Sequence, residues 1–121
     1  VVDAQSVHQQ SERYRDLVKC SRPYDKCSFD KPTSLFEMKP DLPLAQAQGE
    51  WIGLLKLSEN GSSTVRAALD ELGKREDFDK LRMKDLFNYL LNKGVEIGVT
   101  YINAHWLDLD ELDNLSHAQI F

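Results

Sequence analysis

The chain has 121 residues, 41% of them hydrophobic and 29% charged, with a formal net charge of −5. That length suits a single domain with a real core, and the acidic balance argues against a nucleic-acid partner or a polybasic membrane contact, both of which need a basic face. No apolar run approaches the roughly 18 residues of a membrane span, and VVDAQSVHQQ at the start lacks the charged and apolar regions of a signal peptide.

In chain order, Val1-Val2-Asp3 predicts the end of a strand, followed by a polar segment. The abrupt apolar start, with no Met and no polar lead-in, predicts a piece of a longer chain. YRDLVKC (14–20) predicts a strand, and SRPYDKCSFDKPTS a turn-rich loop or hairpin. Its Cys20 and Cys27 could close a small loop in a secreted protein, but without a signal peptide two reduced cytosolic thiols are favoured. His8, His105 and His117 make no zinc spacing with them. SLFEMK (34–39) predicts the returning strand, and PDLPLAQAQG is irregular.

EWIGLLKLS (50–58) is the most apolar short run of the first half and predicts a buried strand. A helix is expected over 62–75, capped by Ser62, Ser63 or Thr64 and ended by Gly73. A second is expected over 81–92, with Gly94 as its stop. GKREDFDKLRMKD (73–85) between them mixes charges and is read as a solvated connection. VEIGVTYI (95–102) predicts a strand, and a last helix starts near Asp110 or Glu111. Strand, helix, helix, strand, helix is the order of an α/β layer. No glycine-rich phosphate loop is present.

HWLDLDELDNL (105–115) carries the chemistry-bearing residues. On an extended backbone Trp106, Asp108 and Asp110 share one side, while Leu107 and Leu109 share the other. Carboxylates at a strand's C-terminal end suit Mg²⁺, which takes one or two of them and leaves its other positions to water and substrate phosphates. Asp110 also suits a helix N-cap, and Glu111 and Asp113 the first turn, where acids complement the helix dipole. Asp108 precedes the cap and gains nothing from it, so it is the best-placed ligand, with Asp110 as helper. Trp106 is either a stacking surface or a core aromatic. His105 is read as an ordinary histidine. Glu50, at the entry to an apolar strand, could meet a substrate amine, although a plain edge position explains it too.

GEWIGLLKLSENG (49–61), followed by a helix and LFNYLLNKGVEIGVTYINAHWLDLDELDNLSHA (86–118), resembles the C-terminal half of sugar-1-phosphate-type nucleotidyltransferases. It is most similar to the small cytidylyltransferases acting on phosphocholine or 2-aminoethylphosphonate, some of them fused to phosphoenolpyruvate mutases. VVDAQ, RDLVKCS and SLFEMK extend the resemblance over nearly the whole chain. It implies a partial Rossmann-like layer, a mixed sheet flanked by helices, with residues 1–121 forming one C-terminal portion of a domain whose N-terminal half is missing. The implied reaction transfers CMP from CTP to a phosphorylated or phosphonate acceptor, with Mg²⁺ as cofactor and loss of pyrophosphate. Asp108, with Asp110, would hold the metal, while Glu50, Trp51 and Trp106 would line the acceptor site.

The resemblance places the nucleotide loop and the first metal aspartate upstream of Val1, so the chain alone is expected to bind CTP poorly and to lack useful turnover. A cytoplasmic location and association with the missing half, or as a homodimer through an open sheet edge, are expected. The alternatives are a sugar-1-phosphate nucleotidyltransferase with another base, and a non-catalytic dimerisation or docking domain.

Overall fold

The computed structural model describes residues 1–5, 14–27 and 31–103, and shows a mixed five-stranded sheet with two α-helices, an α/β arrangement. The strands are β1 (Val2–Asp3), β2 (Leu17–Cys20), β3 (Leu35–Lys39), β4 (Gly49–Trp51) and β5 (Tyr101–Ile102). The helices are α1 (Glu59–Leu72) and α2 (Met83–Asn92). In space the strands lie in the order β3-β2-β4-β1-β5. The pair β1–β5 is parallel, and the remaining neighbours are antiparallel. The helix expected beyond Asp110 lies outside the described residues.

Strand alternation gives the sheet two different faces. Val2 pairs with Trp51 and Tyr101, and Val18 with Met38, so these residues share one face. Phe87, Met83 and Leu91 of α2 pack on that face, forming the main core with Val2, Val18, Cys20, Leu35 and Met38. The helix α1 packs outboard on α2, through Ala68 and Leu72 against Leu86 and Leu90. An irregularity between Lys19 and Cys20 pairs Cys20 with Leu35 and passes over Phe36. Such a bulge resets the alternation. It turns Leu35 inward and leaves Phe36 exposed.

Asn88 ties α2 to the edge strand β3. Its Oδ1 accepts from the Met38 N–H at 3.1 Å, and its Nδ2 donates to the Met38 carbonyl at 2.8 Å. The one amide thus replaces a neighbouring strand at that position. At the start of β3, Ser34 forms an isolated bridge with Gly98, and Val99 N–H donates to the Thr33 carbonyl. The stretch 97–102 therefore touches both edges of the sheet.

Three expectations need correction. The apolar run 50–58 is a strand only through Trp51, because Gly53 takes φ +84° and turns the chain out of the sheet. Leu54, Leu55 and Leu57 beyond it are exposed. The helix α1 starts earlier than expected, capped by Ser58, whose Oγ accepts from the Gly61 N–H at 3.0 Å. Ser62, Ser63 and Thr64 instead donate their hydroxyls to carbonyls one turn back, inside the helix. Finally, residues 95–100 alternate between half-buried and exposed as a strand would, yet regular pairing is confined to Tyr101–Ile102. Gly94, at φ +78°, ends the α2 region as expected.

Candidate functional site

The face turned away from α2 carries charge at its centre. Asp3 pairs directly with Glu50 across β1 and β4, and Leu17 pairs with Glu50 across β2 and β4. Directly opposed residues point the same way, so Asp3, Glu50 and Leu17 share this face. All three are buried, Asp3 and Glu50 to 1% and 2% exposure. Arg15, two residues before Leu17 and so on its side, places Nε 3.1 Å from Glu50 Oε2. A carboxylate this deep is retained because it is paired, since an unpaired buried charge is strongly destabilising.

Close strand approach builds the cluster. Gly49 precedes Glu50, and a Cβ there would run into a Val2 methyl and come within 2.8 Å of the Asp3 carbonyl oxygen. A side chain at 49 would wedge β4 away from β1 and separate Asp3 from Glu50. The glycine of GEW is thus a packing requirement of the pair.

Glu50 is not at a sheet edge, as its plainest sequence explanation had it; β4 is flanked by β2 and β1. Trp51 lies on the opposite face from Glu50. Its ring meets Phe87 edge-on, with centroids 5.3 Å apart, and its Nε1 donates to the Leu54 carbonyl. The two residues expected to line one acceptor site are therefore brought back to back. Trp106, Asp108 and Asp110 lie outside the described residues. Among the described residues no group of three potential ligands gathers as a metal site.

Asp3 is the carboxylate that sequence reasoning missed. It ends β1, and its parallel neighbour β5 ends beside it, with Asp3 opposite Ile102. Its Oδ1 accepts from the Gln5 N–H at 3.1 Å, which turns the chain away at the strand end. The available signal was an aspartate closing an apolar strand, at the carboxyl end where open α/β sheets place their ligands. A hard carboxylate oxygen there is the donor type Mg²⁺ takes.

Two other polar groups lie on the α2 side. Burial pushes the Tyr101 phenol well above its ordinary range, and its hydroxyl donates to the Arg22 carbonyl at 2.8 Å. Burial likewise raises the Cys20 thiol, which favours its protonated and unreactive form. Cys20 and Cys27 are both free, as expected. Among the described residues no helix is long and apolar enough to cross a membrane. Comparison with protein families, curated proteins and solved structures finds no match to this chain.

Proposed function

We propose that this chain is the acceptor-side half of a Rossmann-like, Mg²⁺-dependent nucleotidyltransferase that moves CMP from CTP to a phosphorylated or phosphonate small molecule. The observation that carries the reading is Asp3, a buried carboxylate at the C-terminal end of β1, beside the end of β5. The chain leaves β5 at Ile102, and Asp108 follows six positions later in the sequence. Asp3 then takes the role that the resemblance assigned to a residue upstream of Val1, with Asp108 as the second ligand and Asp110 as helper.

The ion would neutralise charge on the nucleotide phosphates as pyrophosphate leaves. The chain's own contribution is positioning. Asp3 is fixed by strand pairing on both sides, and Gly49 keeps the Glu50 strand close against it. Trp51 is committed to Phe87, and this reading assigns stacking against the base or the acceptor to Trp106.

Pyrophosphate release from CTP, Mg²⁺ and an acceptor tests the reading, using this chain and a version extended upstream. Release by the extended protein is expected, falling at least about a hundred-fold in Asp3→Asn and in Asp108→Asn, as for loss of a group that stabilises transition-state charge. Full activity in Asp3→Asn would remove Asp3 from the site, and no release with any acceptor would sink the transferase. A docking or dimerisation role is the second reading, favoured by the exposed Leu54, Leu55 and Leu57.

A further inference from the structure

We infer that the groove beside Val1 is the seat of an extended, alternately apolar segment joined to the Val1 nitrogen, which carries β1 further back between its two neighbours. The seat is set by backbone register and apolar contact, and it stands whether or not the chain transfers a nucleotide.

Both neighbours of β1 run on past Val1. On the β4 side, the Ile52 N–H donates to the Val1 carbonyl at 3.3 Å, and the Val1 nitrogen donates to the Leu54 carbonyl at 2.8 Å. On the β5 side, the Val2 N–H donates to the Thr100 carbonyl, and the chain before Thr100 lines the groove back to Val95. The cavity of about 270 Å³ that these segments share begins at Val1, in line with β1.

The backbone there is set for a parallel partner. Ile97 and Val99 use their groups on the far side: the Ile97 carbonyl accepts from the Leu35 N–H, and the Val99 N–H donates to the Thr33 carbonyl. Alternation then turns Gly98 and Thr100 toward the line of β1. The Thr100 carbonyl is taken by Val2, while the Gly98 carbonyl and the Thr100 N–H have no hydrogen-bond partner among the described residues. With Val2 opposite Tyr101, a residue joined to Val1 falls opposite Val99. Its N–H there meets the Gly98 carbonyl and its carbonyl meets the Thr100 N–H, which repeats the parallel ladder two residues back. Main-chain bonds of this kind hold an added strand, and pockets for alternate side chains select it.

The lining supplies those pockets. Val2 faces α2 and packs in the core with Phe87. The residue joined to Val1 shares that face, as does every second one before it. Phe87, Leu90 and Val65 line the groove together with the exposed Leu54, Leu55 and Leu57, so an apolar side chain at these alternate positions meets apolar surface. Burial also holds the Val1 ammonium below its ordinary value, a desolvation penalty that an amide nitrogen in the same place does not carry.

Residue-resolved hydrogen exchange tests this with two tetrapeptide extensions of the 121-residue chain, Ser-Val-Ser-Val and Val-Ser-Val-Ser, each joined through its last residue to Val1. Their composition is the same, but only the first puts valine on the face of Val2. In the first, the Thr100 amide should exchange at least roughly ten-fold more slowly than in the unextended chain, the effect of one net backbone hydrogen bond. In the second it should exchange as in the unextended chain. The Met38 amide, held by Asn88, is the reference for an intact fold in each. Equal protection of Thr100 in both extensions, or none in either, overturns the inference. So does equal protection by a free, end-blocked Ser-Val-Ser-Val peptide, which would make the groove a docking site for a separate chain. Loss of Met38 protection in the first extension also counts against it, since a seated strand adds to the fold.

Discussion

Asp16 shows how one residue can carry an unfavourable charge inside a fold. Its backbone carbonyl accepts from the Trp51 N–H, which brings its side chain to the start of α2. There Oδ1 is buried without a hydrogen-bond partner among the described residues. Burial raises the Asp16 carboxyl above its ordinary value, against the opposing pull of the Tyr14 hydroxyl, Arg82 and Lys84, with Asp85 adding to the rise. An acid whose pKa is higher folded than unfolded stabilises the fold while protonated. That stability is present below the unfolded value and is lost as pH rises through the folded one. We therefore expect Asp16→Asn to melt higher than the unmodified chain at neutral pH. The difference should vanish near about pH 3, where both states hold the proton. Thermal melts across that range check it, and an equal shift at every pH would show that the carboxyl's charge is not the cause. Asp3 is the contrasting case, another buried aspartate but placed at a strand end, where its Oδ1 accepts from the Gln5 N–H. Nothing local separates the two in sequence: each precedes or follows a short apolar pair, and only the pairing partners differ.

At the scale of elements, the strands of the first half were legible because each is a short apolar run bounded by turn residues. Val2–Asp3, Leu17–Cys20 and Leu35–Lys39 all fall within their expected spans. The helices were legible from their spacing of leucines, with α1 displaced because its cap competes with three later hydroxyl residues. The run after Trp51 was misread because apolar content signals burial, while Gly53 had already turned the chain outward. Residues 95–100 were misread for the opposite reason, having the periodicity of a strand with few partners to pair with. Asn88 could not be recognised at all, since a polar residue inside a helix reads as a solvent position. Replacing it by leucine keeps its bulk and strands the Met38 N–H and carbonyl. We expect Asn88→Leu to cost about 2–4 kcal/mol, the penalty for two backbone groups left without partners. Urea titration would show it as a lowered midpoint, and an unchanged midpoint would mean that water or another group replaces the amide.

For the whole molecule, the candidate site was half legible. The tryptophan-aspartate segment announces itself by composition, whereas the Asp3–Glu50–Arg15 patch exists only through pairing between segments far apart in the chain. The molecule also presents an apolar groove. Leu54, Leu55 and Leu57 line a cavity of about 270 Å³ together with Val65, Phe87 and Leu90, and the three leucines are 58%, 40% and 40% exposed. Contiguous apolar surface of this kind favours association. We expect the chain to sediment as a dimer or larger at micromolar concentration, and Leu54→Lys with Leu57→Lys to shift it to a monomer. A clean monomer of the unmodified chain would rule out self-association through this groove.

The parallel pairing of Val2 with Tyr101 also has a meaning in time. During synthesis β1 is made before the other described strands, yet one of its two neighbours is the last of them to leave the ribosome. The hairpin of α1 and α2 is local and can assemble early, while the sheet must wait for a loop spanning nearly the whole chain to close. Asp3 and Glu50 therefore remain on an unfinished, solvated patch until β5 arrives. Among the described strands the charged face is completed last, by β5.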